Sequence, residues 1–390
     1  MSSVMSPPVG GQQGQRQETR GQRSRELERA RHAAELLFGT PRERGFAVTY
    51  WNSGVTEKPS DEVPFTLILA DAGALRRAFL PPTQLRIGRA FVRGDFDVAG
   101  DLEAATRSGE DLRQRLADPA RLLAATAALA KLPHGKSREG SGRSLGSARL
   151  TRRHSRTRDA AAIRSHYDVG NEFYQLWLDR RMVYSCGYFP TGQEDIHQAQ
   201  EAKLDLICRK LRLKRGERLL DIGCGWGGLI MFAAEHYGVD ATGITLSPAQ
   251  AELGTERFAQ AGLADRCRIE VRDYRTLGDE QFDKVASVGM CEHVGHHRLG
   301  EYFHSAWRAL KPGGLFLNHC ITQGRQTAGR LGRRLWREGS FTNRFVFPDG
   351  ELPALTWLVE AADAAGFEPR DAESLREHYA RTLRWWVARL

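Results

Sequence analysis

The chain has 390 residues, 41% of them hydrophobic, and a formal net charge of +9, enough apolar material for two domains with their own cores. The basic excess points to anionic partners, either nucleic acid or phospholipid head groups. No zinc-finger spacing and no RNA-recognition signature is present, which argues against nucleic acid. Cysteines at 186, 208, 224, 267, 291 and 320 form no C-x-x-C pair, the pattern of reduced thiols in a cytoplasmic protein. The polar N-terminus lacks the apolar stretch of a secretory signal, and no run has the length of a membrane span. If the substrate is membrane lipid, the protein is expected to work from the membrane surface.

In chain order, residues 1–28 are low in complexity and read as a disordered tail. A small α+β domain is expected over 29–130, with strands at 46–51 and 65–70, a short helix at 73–80 and a further β region at 86–98 around Gly94. It carries no clustered His or Cys and no glycine-rich phosphate loop, so no chemistry is assigned to it. Residues 131–158, rich in Ser, Gly and Arg, read as a linker. Over 159–390 the pattern alternates. Helical spacing at 161–178 leads to an extended stretch at 182–189 and an amphipathic helix at 198–211. Strands at 239–245, 267–274, 282–289 and 314–320 then alternate with helices at 247–261 and 302–310. This predicts an α/β, Rossmann-like doubly wound sheet, with its ligand at the carboxyl ends of the strands.

The densest signal is Leu219-Leu220-Asp221-Ile222-Gly223-Cys224-Gly225-Trp226-Gly227-Gly228. An apolar run ends in an acid and a glycine cluster and passes into helical periodicity at 229–235, a strand, a tight turn and a helix start. Glycine tolerates positive φ and lets a ligand approach the backbone. A lone Gly-x-Gly also suits an ordinary β-α turn, but a second strand at the βαβ distance strengthens the ligand reading. That strand runs into Gly243-Ile244-Thr245-Leu246-Ser247-Pro248, without the acid a dinucleotide fold uses there. No lysine stands in a phosphate-cradling position. An acid before the glycines and a polar Thr/Ser/Gln group after the second strand suit a small nucleoside with a positive centre, a description S-adenosylmethionine fits.

At these residues the chain resembles the cyclopropane-fatty-acyl-phospholipid synthase family, S-adenosylmethionine-dependent enzymes acting on unsaturated acyl chains. The resemblance runs over roughly 44–390 and is dense over 161–321. It extends to Leu80-Pro81-Pro82-Thr83-Gln84-Leu85-Arg86-Ile87-Gly88, similar to the family's N-terminal domain, and so implies a methyltransferase sheet preceded by an α+β domain, for which engaging lipid and merely packing against the other domain are both open. It implies cofactor contacts at Tyr167, Tyr184 and Ser185, in His166-Tyr167-Asp168-Val169-Gly170 and Tyr184-Ser185-Cys186-Gly187. Further contacts are implied at Asp221, Gly223, Gly225, Gly227, Thr245, Leu246, Ser247, Gln250, Asp273 and Tyr274. Residue chemistry alone leaves Ser247 equally suited to an N-cap before proline and Asp273 to a capping turn.

Met290-Cys291-Glu292-His293-Val294-Gly295-His296-His297 and Asn318-His319-Cys320-Ile321 raise the alternative of a metal site. The histidines lack metalloprotease spacing, and no metal is expected. The resemblance implies instead a bicarbonate ion held by Cys186, Glu292, His319, the backbone at Ile321, and Tyr379 in His378-Tyr379-Ala380-Arg381-Thr382-Leu383. The 345–353 stretch matches the family's Phe-Pro-Gly segment, with Asp349 where glycine is usual. The chemistry needs such groups. An alkene is a weak nucleophile and must be pressed against the methyl sulfonium in a dry pocket. Aromatic faces can stabilise the resulting carbocation, and a base must then take a proton for the ring to close.

Members of the family usually continue beyond the 378–383 segment with helices and a last antiparallel strand, whereas this sequence ends at Leu390. A homodimer or a second chain completing the fold is therefore expected, or a truncated product. The expected activity is methylene transfer to the double bond of an unsaturated fatty acyl chain of a phospholipid, giving a cyclopropane fatty acid. The alternatives are a fatty-acyl methyltransferase that leaves a methyl or methylene branch, and an inactive lipid- or cofactor-binding homologue.

Overall fold

The computed structural model describes residues 10–51, 54–135, 170–323, 341–347 and 350–390, with the backbone alone at 10–20, 343 and 344. These residues divide into two compact units.

The first unit is built on a mixed sheet of β1 (Ala47–Tyr50), β2 (Val55–Glu57), β3 (Phe65–Leu69) and β4 (Phe96–Gly100), in the order β2-β1-β3-β4. Alternation along β3 buries Phe65, Leu67 and Leu69 and leaves Thr66 and Ile68 partly exposed, so one face meets the core. Helix α1 (Gly10–Phe38) lays Ala30, Ala33, Ala34 and Leu37 into that core at helical spacing. It begins inside the stretch 1–28 that composition assigned to a disordered tail, and residues 10–28 are helical; residues 1–9 lie outside the described residues.

The expected β region at 86–98 is also corrected. After α2 (Ala74–Phe79), the chain forms α3 (Gln84–Val92), because the Thr83 hydroxyl accepts from the Arg86 amide and caps the first turn. Only from Phe96 is it a strand. Two further helices follow, α4 (Leu102–Arg115) and α5 (Pro119–Ala130). Beyond α5, Leu132 is buried in the same core and the His134 carbonyl accepts from Arg77. The unit thus runs past the boundary drawn at 130, and the remainder of the 131–158 linker lies outside the described residues. Phe341 and Thr342, assigned by sequence to the second domain, group with the first unit.

The second unit opens with α6 (Asn171–Trp177) and α7 (Ile196–Lys210). The 182–189 segment between them forms no strand; it is a loop held by Asp179, whose carboxylate accepts from the Val183 and Arg181 amides. The sheet consists of β5 (Arg218–Ile222), β6 (Asp240–Thr245), β7 (Cys267–Val271), β8 (Phe282–Val288) and β9 (Leu310–His319), all parallel, in the order β7-β6-β5-β8-β9. β5 is bonded on both sides and Leu219–Ile222 is buried throughout, which is why it reads as an unbroken apolar run. The strand order reverses direction at β5, and in such sheets the crevice outside the carboxyl ends at that point receives the ligand.

Around the sheet lie α8 (Gly228–Tyr237), α9 (Pro248–Gln260), α10 (Leu299–Ala309), α11 (Leu355–Ala364) and α12 (Arg376–Arg389). α12 is tied to the end of α6 by Arg389, which donates to the carbonyls of Trp177 and Leu178 at 3.0 and 3.1 Å. No helix among the described residues is long and apolar enough to cross a membrane.

Candidate active site

The glycine corner opens a cleft whose empty volume, mouth included, is ≈ 960 Å³. β5 and the turn after it contribute Asp221, Gly223 and Gly225 to its wall, β6, the turn after it and α9 Thr245, Leu246 and Gln250, the 182–189 loop Tyr184 and Ser185, and the turn after β7 Tyr274. Nine residues expected to touch the cofactor therefore meet on one cavity. Gly223 takes φ +81°, and a Cβ there would press on the Met290 side chain at 3.2 Å. At Gly225, φ +55°, the space is open.

Three expected contacts among the described residues are not on that wall. Gly227, at φ +79°, caps α8, and a Cβ would meet the Phe258 ring at 2.5 Å, so this glycine serves helix packing. Ser247 is the N-cap of α9, its hydroxyl accepting from the Gln250 amide. The Asp273 carboxylate accepts from the Arg275 amide and guanidinium, the capping alternative, while its neighbours Arg272 and Tyr274 reach the cavity. Tyr167 lies outside the described residues.

The polar wall is tightly arranged. Thr245 Oγ1 donates to Gln250 Oε1 at 2.7 Å and accepts from the Ser247 amide. Asp221 is 3% exposed and one carboxylate oxygen, Oδ1, has no hydrogen-bond partner among the described residues. Burial raises its carboxyl to about 7, against the opposing pull of Lys203. Lys203 was not foreseen. It lies on the wall although it is 2% exposed, and its Nζ donates to Ser185 Oγ at 2.9 Å. Burial lowers its ammonium to about 8, while Asp179, Cys186 and Asp221 favour the charged form. A signal was available: Ile196, Ala199, Gln200, Lys203, Leu204 and Ile207 form the buried stripe of α7, so a lysine and a glutamine stand where apolar residues belong.

The four expected catalytic residues are buried or half-buried beside this wall rather than on it. Each adjoins a lining residue or an element that supplies one: Cys186 follows Ser185, and Glu292 precedes His293. Glu292 Oε1 accepts from the Ile321 amide at 2.8 Å, so that amide is engaged by protein, while Oε2 is buried without a partner among the described residues. Burial raises the Glu292 carboxyl. His319 Nδ1 is likewise unpartnered, and burial first, then the Lys203 charge, lowers the imidazole to about 4. Tyr379 is raised by burial and by Tyr184, Glu292 and Cys186, which puts Glu292 and Cys186 within its electrostatic reach. The Cys186 thiol is pushed up to about 11 by burial and points at carbonyls, those of Gly187 at 3.1 Å and Leu375 at 3.8 Å.

An aromatic wall unites the two halves. Tyr174 packs on Tyr184 and Trp226 with centroids 5.6 and 5.0 Å apart, and Trp386 of α12 packs on Trp177 and Tyr184, both at 5.3 Å. Sequence reading singled out neither tryptophan of that pair; their contact joins residues more than two hundred positions apart.

A parallel sheet in this order, with a glycine corner, an unpartnered acid and a polar turn around one cleft, defines the class of S-adenosylmethionine-dependent methyltransferases. Within that class the chain belongs to the mycolic acid cyclopropane synthetase family, whose profile matches residues 154–390. Among relatives, it is 42% identical to a probable fatty acid methyltransferase of Pseudomonas putida, over 84% of this chain and 76% of that one. It is 38% identical to the cyclopropane-fatty-acyl-phospholipid synthase of Escherichia coli strain K12, over 63% of this chain and 60% of that one. Among solved structures, mycolic acid cyclopropane synthase CmaA1 complexed with SAH and CTAB matches at 36% identity with a TM-score of 0.55, over 59% of this chain and 82% of that one. The chain thus spans three fifths to three quarters of the length of the two relatives.

Proposed function

We propose that the chain transfers a methylene unit from S-adenosylmethionine to the double bond of an unsaturated fatty acyl chain of a phospholipid, giving a cyclopropane fatty acid, and that it works from the membrane surface. The observation carrying this reading is the pair of buried, unpartnered polar atoms, Glu292 Oε2 and His319 Nδ1, in the residue set beside a cleft that suits the cofactor. Burial without a partner costs about 1–3 kcal/mol per group, so such atoms mark a place where a ligand belongs.

The cofactor, when bound, supplies a methyl group on a sulfonium. The chain's own residues supply the rest. Gly223 and Gly225 admit the nucleoside to the backbone, and Gln250, whose amide nitrogen has no partner among the described residues, can donate to its hydroxyls. Tyr184 and Trp226, on the wall and backed by Tyr174, present ring faces to the cation left on the acyl chain after its π electrons take the methyl. Loss of one proton from that methyl and closure of the second carbon–carbon bond complete the ring, with S-adenosylhomocysteine as the other product.

The Glu292 carboxyl, whose burial favours the protonated form, the imidazole of His319 and the Tyr379 hydroxyl are groups that fit a small oxyanion. Glu292, His319 and Tyr379 would hold bicarbonate, which would supply the base. The Ile321 amide serves this site through Glu292, and the Cys186 thiol, turned to carbonyls, contributes less.

A methyl or methylene branch formed by loss of a different proton is the second reading, favoured by the 42% identity to a fatty acid methyltransferase. The test is lipid analysis of cells expressing the protein. Mass spectrometry is expected to show phospholipid acyl chains heavier by one CH2, and proton NMR to show ring methylene signals. Branch signals instead would select the second reading, and unchanged lipids alongside folded protein would reject both.

A further inference from the structure

We propose that Lys203 binds the carboxylate of the cofactor's amino-acid end, and that Lys203 and Asp221 together read that end as a zwitterion. This rests on the reading above that S-adenosylmethionine occupies the cleft.

Lys203 rises from the buried stripe of α7 to the cleft wall. An ammonium has three hydrogens to donate; one goes to Ser185 Oγ, and among the described residues no carboxylate lies within ion-pair distance of Nζ. A desolvated cation hydrogen-bonded to one neutral hydroxyl is costly unless an anion completes its shell. Asp221 poses the opposite case on the same wall, a buried carboxylate with an oxygen unpartnered among the described residues. The two side chains influence each other electrostatically without touching. Two opposite, incompletely solvated charges on one cavity are complementary to a ligand carrying both an ammonium and a carboxylate.

Ser185 refines the assignment. Because Nζ can only donate, Ser185 Oγ is the acceptor in that bond, and its own O–H is left to donate to the same carboxylate. Gln200 holds the loop in place, its Nε2 donating to the Ser185 carbonyl at 2.8 Å and the Val183 carbonyl at 3.3 Å. The guanidinium on the wall, Arg272, is engaged by Glu270 and the Thr276 carbonyl, which leaves Lys203 as the cation for the ligand.

Calorimetry with S-adenosylhomocysteine and its decarboxylated analogue tests this. The wild-type chain is expected to bind the carboxylate-bearing ligand about tenfold or more tightly, the worth of a charge-assisted contact. K203Q should reduce that preference to about twofold while holding the analogue as wild type does. Equal weakening of both ligands would mark Lys203 as merely structural and overturn the proposal; so would an undiminished preference. S185A, which keeps the ammonium, carries the same test should K203Q fail to fold: a reduced preference supports the proposal and a wild-type preference overturns it. A folded wild-type chain that binds neither ligand would overturn the cofactor reading itself, and this assignment with it.

Discussion

The two halves of the active site are built in different ways. The centre of the cofactor half is local: β5, its glycine corner and the turn after β6 lie within about thirty residues and one βαβ unit sets their geometry, with Tyr184, Ser185, Lys203 and Tyr274 joining from outside it. The proposed acid half draws on residues 186, 292, 319 and 379 from four separate segments, with Glu292 tied to the loop after β9 and Tyr379 carried by α12. A site made from one supersecondary unit tolerates change elsewhere in the chain. A site made from four depends on all of their packing, and its buried orphan atoms concentrate the cost. Disturbing the acid half should therefore affect chemistry without affecting cofactor affinity, and the converse should hold for the corner.

The sharpest test is E292Q. The amide can still accept from the Ile321 N–H and can donate, but it can neither carry the carboxylate charge nor exchange a proton. Turnover should fall about 100-fold or more, with S-adenosylhomocysteine affinity within about twofold of wild type. Unchanged turnover would dissolve the division between the halves.

Next, G227A should cost about 2–4 kcal/mol of stability in urea melts, since a methyl at φ +79° is strained and would overlap Phe258. G225A, with open space around it, should cost about 1 kcal/mol and express itself mainly as lost cofactor affinity. Equal stability losses would show that the glycines do not divide the labour as their surroundings indicate.

The His319 imidazole is lowered from 6.5 to about 4 by burial and Lys203, so the fold favours its neutral form. The stabilisation it brings is complete above about 6.5 and is lost as pH falls towards about 4, on the order of 3 kcal/mol at the limit. H319F should flatten the pH dependence of melting in that window; an unaltered slope would remove His319 from the buried acid half.

The smallest expected effect concerns Asp221, raised to about 7 by burial. A cationic ligand prefers the carboxylate, so S-adenosylmethionine affinity should decline as pH drops below about 7, by less than tenfold per pH unit. D221N should bind more weakly and with a flat profile. A profile in D221N like that of wild type would assign the titration to another group.

The regions differ in legibility for the same reason they differ in construction. The strand–glycine–helix pattern at 219–235, the Ser247 cap before proline and the alternation of strands with helices are encoded by neighbours in sequence, and each lies where periodicity places it. The residues of the 86–98 stretch suit a strand, while the Thr83 cap and the burial of Ala90 select a helix over Gln84–Val92. Near Asp273, local chemistry had allowed the capping role it takes, and the ligand wall fell to its neighbours.

The sequence by itself determined the sheet and the corner at Gly223 and Gly225, because hydrophobic period and backbone tolerance are properties of adjacent residues, while Glu292 and His319 were expected only through the family resemblance. Tertiary structure alone decided that Lys203 is buried on the cleft wall, that Glu292 and His319 each keep an unpartnered atom, and that Trp386 closes on Trp177. Those facts depend on which surfaces exclude water, and that is settled only when distant segments pack.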